Sequence, residues 1–149
     1  MNIKFLRASN KKKIVRELEE QFGVTELPYI LIETGKEKIR GFSGNMTKDE
    51  ILELSKIANV EIIGLYLLKK ERDLRLSLDA TQVLASQISK NIIEINNEQF
   101  NFWIRGKNLD IRTKEGVYVV KYKSDFVGCG VSNGKKIFNY VPKERRIRN

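Results

Sequence analysis

The sequence has no histidine and one cysteine, Cys129, in 149 residues. Without imidazole the commonest general base, the commonest metal ligand and every His-dependent triad are gone. A lone cysteine makes neither an intrachain disulfide nor a cysteine-based zinc site. Long apolar runs are missing too. The longest, Val60-Glu-Ile-Ile-Gly-Leu-Tyr-Leu-Leu68, falls far short of the ~20 residues a membrane helix needs and carries a charge. The first residues (Met1-Asn-Ile-Lys-Phe-Leu-Arg7) lack the apolar stretch of a secretory signal. The expectation is a cytoplasmic protein with no membrane association. No GxGxxG or phosphate-loop spacing occurs; Gly35-Lys36 stands alone and Gly41-Phe-Ser-Gly44 reads as a turn. Internal repeats and Gly/Ser-rich linkers are absent. Such a composition predicts no cofactor, no metal and no catalytic residue.

What is present is a foldable, basic chain. Hydrophobic residues make up 41% of it and the formal charge is +9, which excludes a disordered polar chain. The charge is uneven. Residues 101–149 hold 12 Lys and Arg against 4 Asp and Glu, whereas residues 1–100 hold 16 against 15. A field concentrated at one end draws polyanions.

Taken in order, a short strand at Ile3–Leu6 precedes a helix capped by Ser9 and closed by Gly23. Its Ile14, Val15, Leu18 and Phe22 follow helical spacing, and Glu17, Glu19 and Glu20 form its solvated face. Lys11–Lys13 read as a solvated helix start, with a second basic patch as the alternative. Tyr29–Glu33 and Lys38–Ser43 read as strands about the Gly35-Lys36 turn. Thr47-Lys-Asp-Glu50 is a capping box for a helix running to about Ala58.

Val60–Leu68 reads as a strand and Lys69–Asp73 as a charged exit. Ser77 or Asp79 caps a short helix carrying Val83, Leu84 and Ile88. Ile92–Ile95 fits a strand, Asn96-Asn97 a turn, and Leu109–Thr113 a strand or connector. Val117–Lys123 and Phe126–Val131 are strands, and Ser132-Asn-Gly134 marks a hairpin into Lys135–Tyr140, with a basic strand to Arg148. The order β-α-β-β-α followed by a mostly β half predicts an α+β chain: a small α/β unit over 1–59 packed on a small, partly closed barrel over 60–149.

Phosphate recognition needs cations and free amides. The pool is Arg105, Lys107, Lys121, Lys123, Lys135, Lys136, Lys143, Arg145, Arg146 and Arg148. Phe138 and Tyr140 alternate along a strand, so they share a face, and Tyr140 is the candidate for stacking on a base. RNA is preferred to DNA because no helix-turn-helix, basic zipper or zinc finger pattern occurs. Cys129 between Gly128 and Gly130 has no identifiable base beside it and reads as a small buried side chain. The glycines suit a strand bend or close approach of a ligand.

Certain short motifs carry a resemblance: Ile63-Gly-Leu-Tyr-Leu, Trp103-Ile-Arg-Gly106, Gly116-Val-Tyr-Val-Val, Gly128-Cys-Gly130, and Asn139-Tyr-Val-Pro-Lys143 followed by Arg145-Arg146. The second half resembles the PUA-like RNA-binding domain at the C-terminus of Sun/NOL-type RNA cytosine-5 methyltransferases, which also occurs in stand-alone archaeal relatives. The first half (Asn10-Lys-Lys-Lys to Gln21-Phe-Gly, then Gly35-Lys-Glu-Lys-Ile) is similar to the α/β unit that often precedes it. Where the family has Trp and Lys in the Gly-x-Gly-x turn, this chain has Cys129 and Val131. The methyltransferase module, with its S-adenosylmethionine and Pro-Cys motifs, is absent.

The resemblance implies a PUA-like barrel and a non-catalytic RNA-binding role in rRNA or tRNA maturation and ribosome biogenesis. It also implies a protein partner for the first unit, an RNA methyltransferase or a ribosome-assembly factor. The alternative is an adaptor whose basic end grips an acidic protein. An enzyme using Cys129 is a third reading.

Overall fold

The computed structural model describes residues 3–43, 45–58 and 64–148. The expected strand residues Val60–Ile63 lie outside them. Helix α1 (Ala8–Phe22) buries Ile14, Leu18 and Phe22 at i, i+4 and i+8. Gly23 ends it at φ 84°, its N–H donating to the Glu19 carbonyl. Its start differs from expectation: Arg7, not Ser9, is the N-cap and contributes no side-chain bond. Leu6 N–H still donates to the Leu31 carbonyl, so the chain leaves the sheet and enters the helix within one residue.

The first sheet has five antiparallel strands in sequence order: β1 (Lys4–Phe5), β2 (Tyr29–Thr34), β3 (Lys38–Ser43), β4 (Leu65–Lys70) and β5 (Leu74–Leu76). β5 was not anticipated; the charged stretch after Lys70 is its turn. β3 pairs directly with β4, so one sheet draws strands from both parts expected at 1–59 and 60–149. Helix α2 (Lys48–Ile57) carries the expected capping box. Thr47 Oγ1 accepts from Glu50 N–H at 3.1 Å, and Glu50 Oε1 accepts from Thr47 N–H at 3.2 Å. The helix places Ile51 over Ile32 and Phe42 on one face of this sheet.

Ser77 caps α3 (Leu78–Val83) by accepting from Ala80 N–H, and a 3-10 turn (Ala85–Gln87) follows. The second sheet has the order β6 (Ile92–Ile95), β7 (Gly116–Tyr122), β8 (Asp125–Ser132), β9 (Ile137–Asn139). β6 and β7 run parallel, and a parallel pair needs a crossover. Helix α4 (Asn97–Trp103) lies on that crossover. Its box, Asn96 with Gln99, occupies the two asparagines expected to form a turn. Beyond β9 a single bridge, Leu109–Ile137, extends the sheet. Among the described residues it stays open rather than closing into a barrel.

A common core joins the halves. Ile14, Leu18 and Phe22 of α1 pack in one cluster with Leu74 and Leu76 of β5 and with Val117, Val119, Phe126 and Cys129 of the second sheet. Backbone bonds reinforce it: Ser89 N–H donates to the Phe22 carbonyl and Val119 N–H to that of Asn91.

Candidate nucleic-acid interface

The basic end is built on Trp103, whose side chain is fully buried. Buried indole needs an acceptor for its N–H, and a β-bulge supplies one. Val119 faces Cys129 and Lys121 faces Phe126, so Val120 stands opposite both Val127 and Gly128. The bulge turns the Val127 carbonyl out of the ladder, and Trp103 Nε1 donates to it at 2.7 Å. Gly128 holds φ 114°, and a Cβ on Gly130 would come within 3.0 Å of the Trp103 ring and 2.4 Å of Ile137. Gly130 therefore makes room for Ile137 and Trp103, and Gly128 takes the bulge's positive φ, which fits the strand-bend reading of these glycines.

A helix leaves its last carbonyls without partners, and the C-terminal segment supplies them to α4. Asn139 Nδ2 donates to the carbonyls of Trp103 (2.8 Å) and Lys107 (3.1 Å), while its Oδ1 accepts from Val141 N–H. Ile147 N–H donates to the Ile104 carbonyl at 2.8 Å. Arg146 lies across Gly106 and donates from Nε to the Val141 carbonyl at 2.9 Å. The expected basic strand after Tyr140 is instead a strap with a 3-10 turn at Lys143–Arg145, because its backbone caps a helix rather than joining the sheet. Sequence reasoning placed Asn139 in a family motif but missed this role; a polar residue between outward Phe138 and Tyr140 was the local signal.

This strap runs its backbone, with Arg146 and Arg148 on either side of Ile147, past Ile104 at the end of α4, and lays Arg146 against Gly106 between Arg105 and Lys107. Arg105 donates to the Asn101 carbonyl at 2.7 Å. Lys107 Nζ stands 5.4 Å from the centre of the exposed Phe102 ring. Lys143 and Arg148 are exposed, and Arg145 pairs with Asp79 of α3 at 3.0 Å. Arg146 faces inward as part of the strap. The remaining cations divide. Lys121 and Lys123 flank the β7–β8 turn, where they lie over Phe126 and Tyr122. Lys135 and Lys136 sit in the β8–β9 hairpin at the opposite end of β8, Lys136 being 3.8 Å from Asp110.

Tyr140 keeps 42% of its surface exposed. Ile137 and Val141 point into the Trp103 cluster, leaving Phe138 and Tyr140 on the outside. The Arg75 guanidinium lies 3.8 Å from the Tyr140 ring centre, and Arg75 also pairs with Glu71 at 3.3 Å. β5, the strand that carries Arg75, was invisible in the sequence pattern. Burial pushes the Cys129 thiol up to about 12, against smaller lowering effects of a Leu76 backbone hydrogen bond and the Arg75 charge. A thiol so held is not a nucleophile at neutral pH. Among the described residues no group of His, Cys, Asp or Glu is placed to hold a metal, and no helix is long and apolar enough to cross a membrane.

The open mixed sheet, the crossover helix and the basic strap define the class. Residues 90–147 match the family model described as the PUA domain of methyltransferase RsmF. What the match shows is a likeness of that segment to the PUA domain of this methyltransferase. The fold of the chain as a whole is similar to that of a conserved PUA domain protein from Thermoplasma acidophilum, with a TM-score of 0.61, 14% identity and 93% of each chain covered. A search of curated proteins found no match.

Proposed function

We propose that this protein binds RNA and catalyses no reaction on it. The observation that carries the reading is the strap: the Ile147–Ile104 bond runs the C-terminal arginines past the end of α4, where Arg105 and Lys107 follow exposed Phe102. Cations hold the phosphates there, and exposed aromatics offer stacking surfaces for unpaired bases. Tyr140 serves the same purpose on the outer side of β9. The relation of the 90–147 segment to a methyltransferase domain supports rRNA or tRNA under maturation as the RNA. It also supports a methyltransferase or ribosome-assembly factor, met in the cytoplasm, as a protein partner. Residues 1–59 and 60–149 are the working division of labour, the first part docking the partner and the second holding RNA.

Filter binding of single-stranded RNA over a salt series tests this. Each phosphate neutralised on a single strand contributes roughly 0.7 to the slope of log affinity against log salt. Substituting Arg105, Lys107 and Arg148 together by alanine should reduce that slope by about 2 and weaken binding at every salt concentration. Absence of measurable binding at low salt would sink the proposal. Partners recovered from native extract that resist nuclease would favour the adaptor reading instead.

A further inference from the structure

Beyond the Ile32–Phe42 patch that α2 covers, the same face of the first sheet carries an arrangement no local sequence pattern displays. Along β3, Lys38 and Arg40 alternate with core residues Ile39 and Gly41 and so share the face of Phe42, which lies under α2. The register then sets Lys38 opposite Lys69, and Lys69 opposite Arg75. Strands lie ~4.8 Å apart, so these cations form a row spanning roughly 10 Å. Arg40 is opposite Tyr66 on the same face. The Tyr66 ring has Lys38 Nζ at 5.6 Å and the Arg40 guanidinium at 5.7 Å from its centre. Arg75 continues the row onto Tyr140 of the second sheet.

Like charges directly opposite one another destabilise a sheet. Among the described residues Glu71 offsets them, at 3.2 Å from Lys69 and 3.3 Å from Arg75. Burial alone would raise the Glu71 carboxyl, but hydrogen bonds from Lys69 and Arg75, and their charges, outweigh it and hold the group low. Among the described residues, the other ionised groups that act on the half-buried Tyr66 are Arg75, Lys69 and Arg40, all positive. Lys38 is exposed and Lys69 keeps 30% of its side chain open. Cations with aromatic rings between them on a sheet face suit an extended single strand, with phosphates on the row and bases on the rings.

We propose that Lys38, Arg40, Tyr66, Lys69, Arg75 and Tyr140 form a second binding surface, for single-stranded RNA, reaching from the first sheet to the second. The proposal rests on the RNA-binding reading above and extends the contact into the half assigned there to protein docking. Binding of a polyuridine of roughly 20 nucleotides, longer than a single-fold site, tests it with the full-length chain. The double variant Lys38→Gln/Lys69→Gln should bind about ten-fold more weakly and lose about 1.4 from the salt slope, as two phosphates require. Thermal unfolding of this variant should match wild type, the repulsion relieved between the facing lysines offsetting the lost Lys69–Glu71 pair. RNA carrying 4-thiouridine should crosslink to peptides containing Tyr66 and Tyr140.

Wild-type affinity and slope in the double variant, with the Arg105/Lys107/Arg148 variant still weakened, would overturn the second surface and leave the function standing. No binding by the wild type would remove the function itself. Equal loss of affinity for a blunt duplex would refute the single-strand assignment.

Discussion

Cys129 is ringed by Gly128, Gly130 and the core cluster, 3% exposed, and its proton is held far more tightly than in an unfolded chain. A thiol raised from 9.0 to about 12 favours the folded state fully below pH 9. That contribution falls as pH rises from 9 toward 12, by ~1.4 kcal/mol per pH unit, because the unfolded chain ionises first. Urea unfolding at stepwise pH should therefore show wild type losing stability above pH 9 faster than Cys129→Ala. Parallel curves would contradict it. The same burial predicts that thiol reagents label Cys129 at the rate of unfolding. Neither effect was fully legible in the sequence: the paired glycines announced a special backbone, but only the bulge at Val127 and Gly128 shows that the space belongs to Trp103.

At the scale of elements, α4 and the strap depend on one another. Asn139 bonds the helix-end carbonyl of Trp103, the Lys107 carbonyl in the following loop and the Val141 N–H, and each such bond is worth ~1 kcal/mol net. Asn139→Ala should cost about 2–3 kcal/mol in chemical denaturation. Asn139→Asp keeps the acceptor, loses the donor and turns a charge on carbonyl oxygens, so it should cost more. If the aspartate variant proves as stable as wild type, Asn139 is not the latch. These elements also mark where sequence reasoning stops. Gly23, Thr47 with Glu50 and Ser77 act within a few residues of themselves, so the helices they bound were readable. Asn96 and Gln99 gave an equally local signal, masked by the strand-like aromatics that follow. The strap's course and the Lys38–Lys69–Arg75 row depend on partners far along the chain, and nothing nearby encodes them.

For the whole molecule, the shared core of α1, β5, β7 and β8 predicts a single cooperative unfolding transition. Far-ultraviolet circular dichroism and tyrosine fluorescence should give the same midpoint. Two separated transitions would show that the halves fold independently and that the cluster joining Phe22 to Phe126 contributes little. The excess charge at one end has a different consequence. RNA affinity should fall steeply with salt, whereas stability, carried by buried apolar surface and backbone bonds, should not.

Trp103 is the chain's only tryptophan, and it lies wholly inside, its indole N–H held by the Val127 carbonyl. The protein thus has a built-in optical gauge of its own integrity. Indole emission should report the packing of the bulge and strap and ignore whatever lies on the outer tyrosines. In any titration with RNA, a constant indole signal beside quenched tyrosine would separate occupancy from damage in one cuvette.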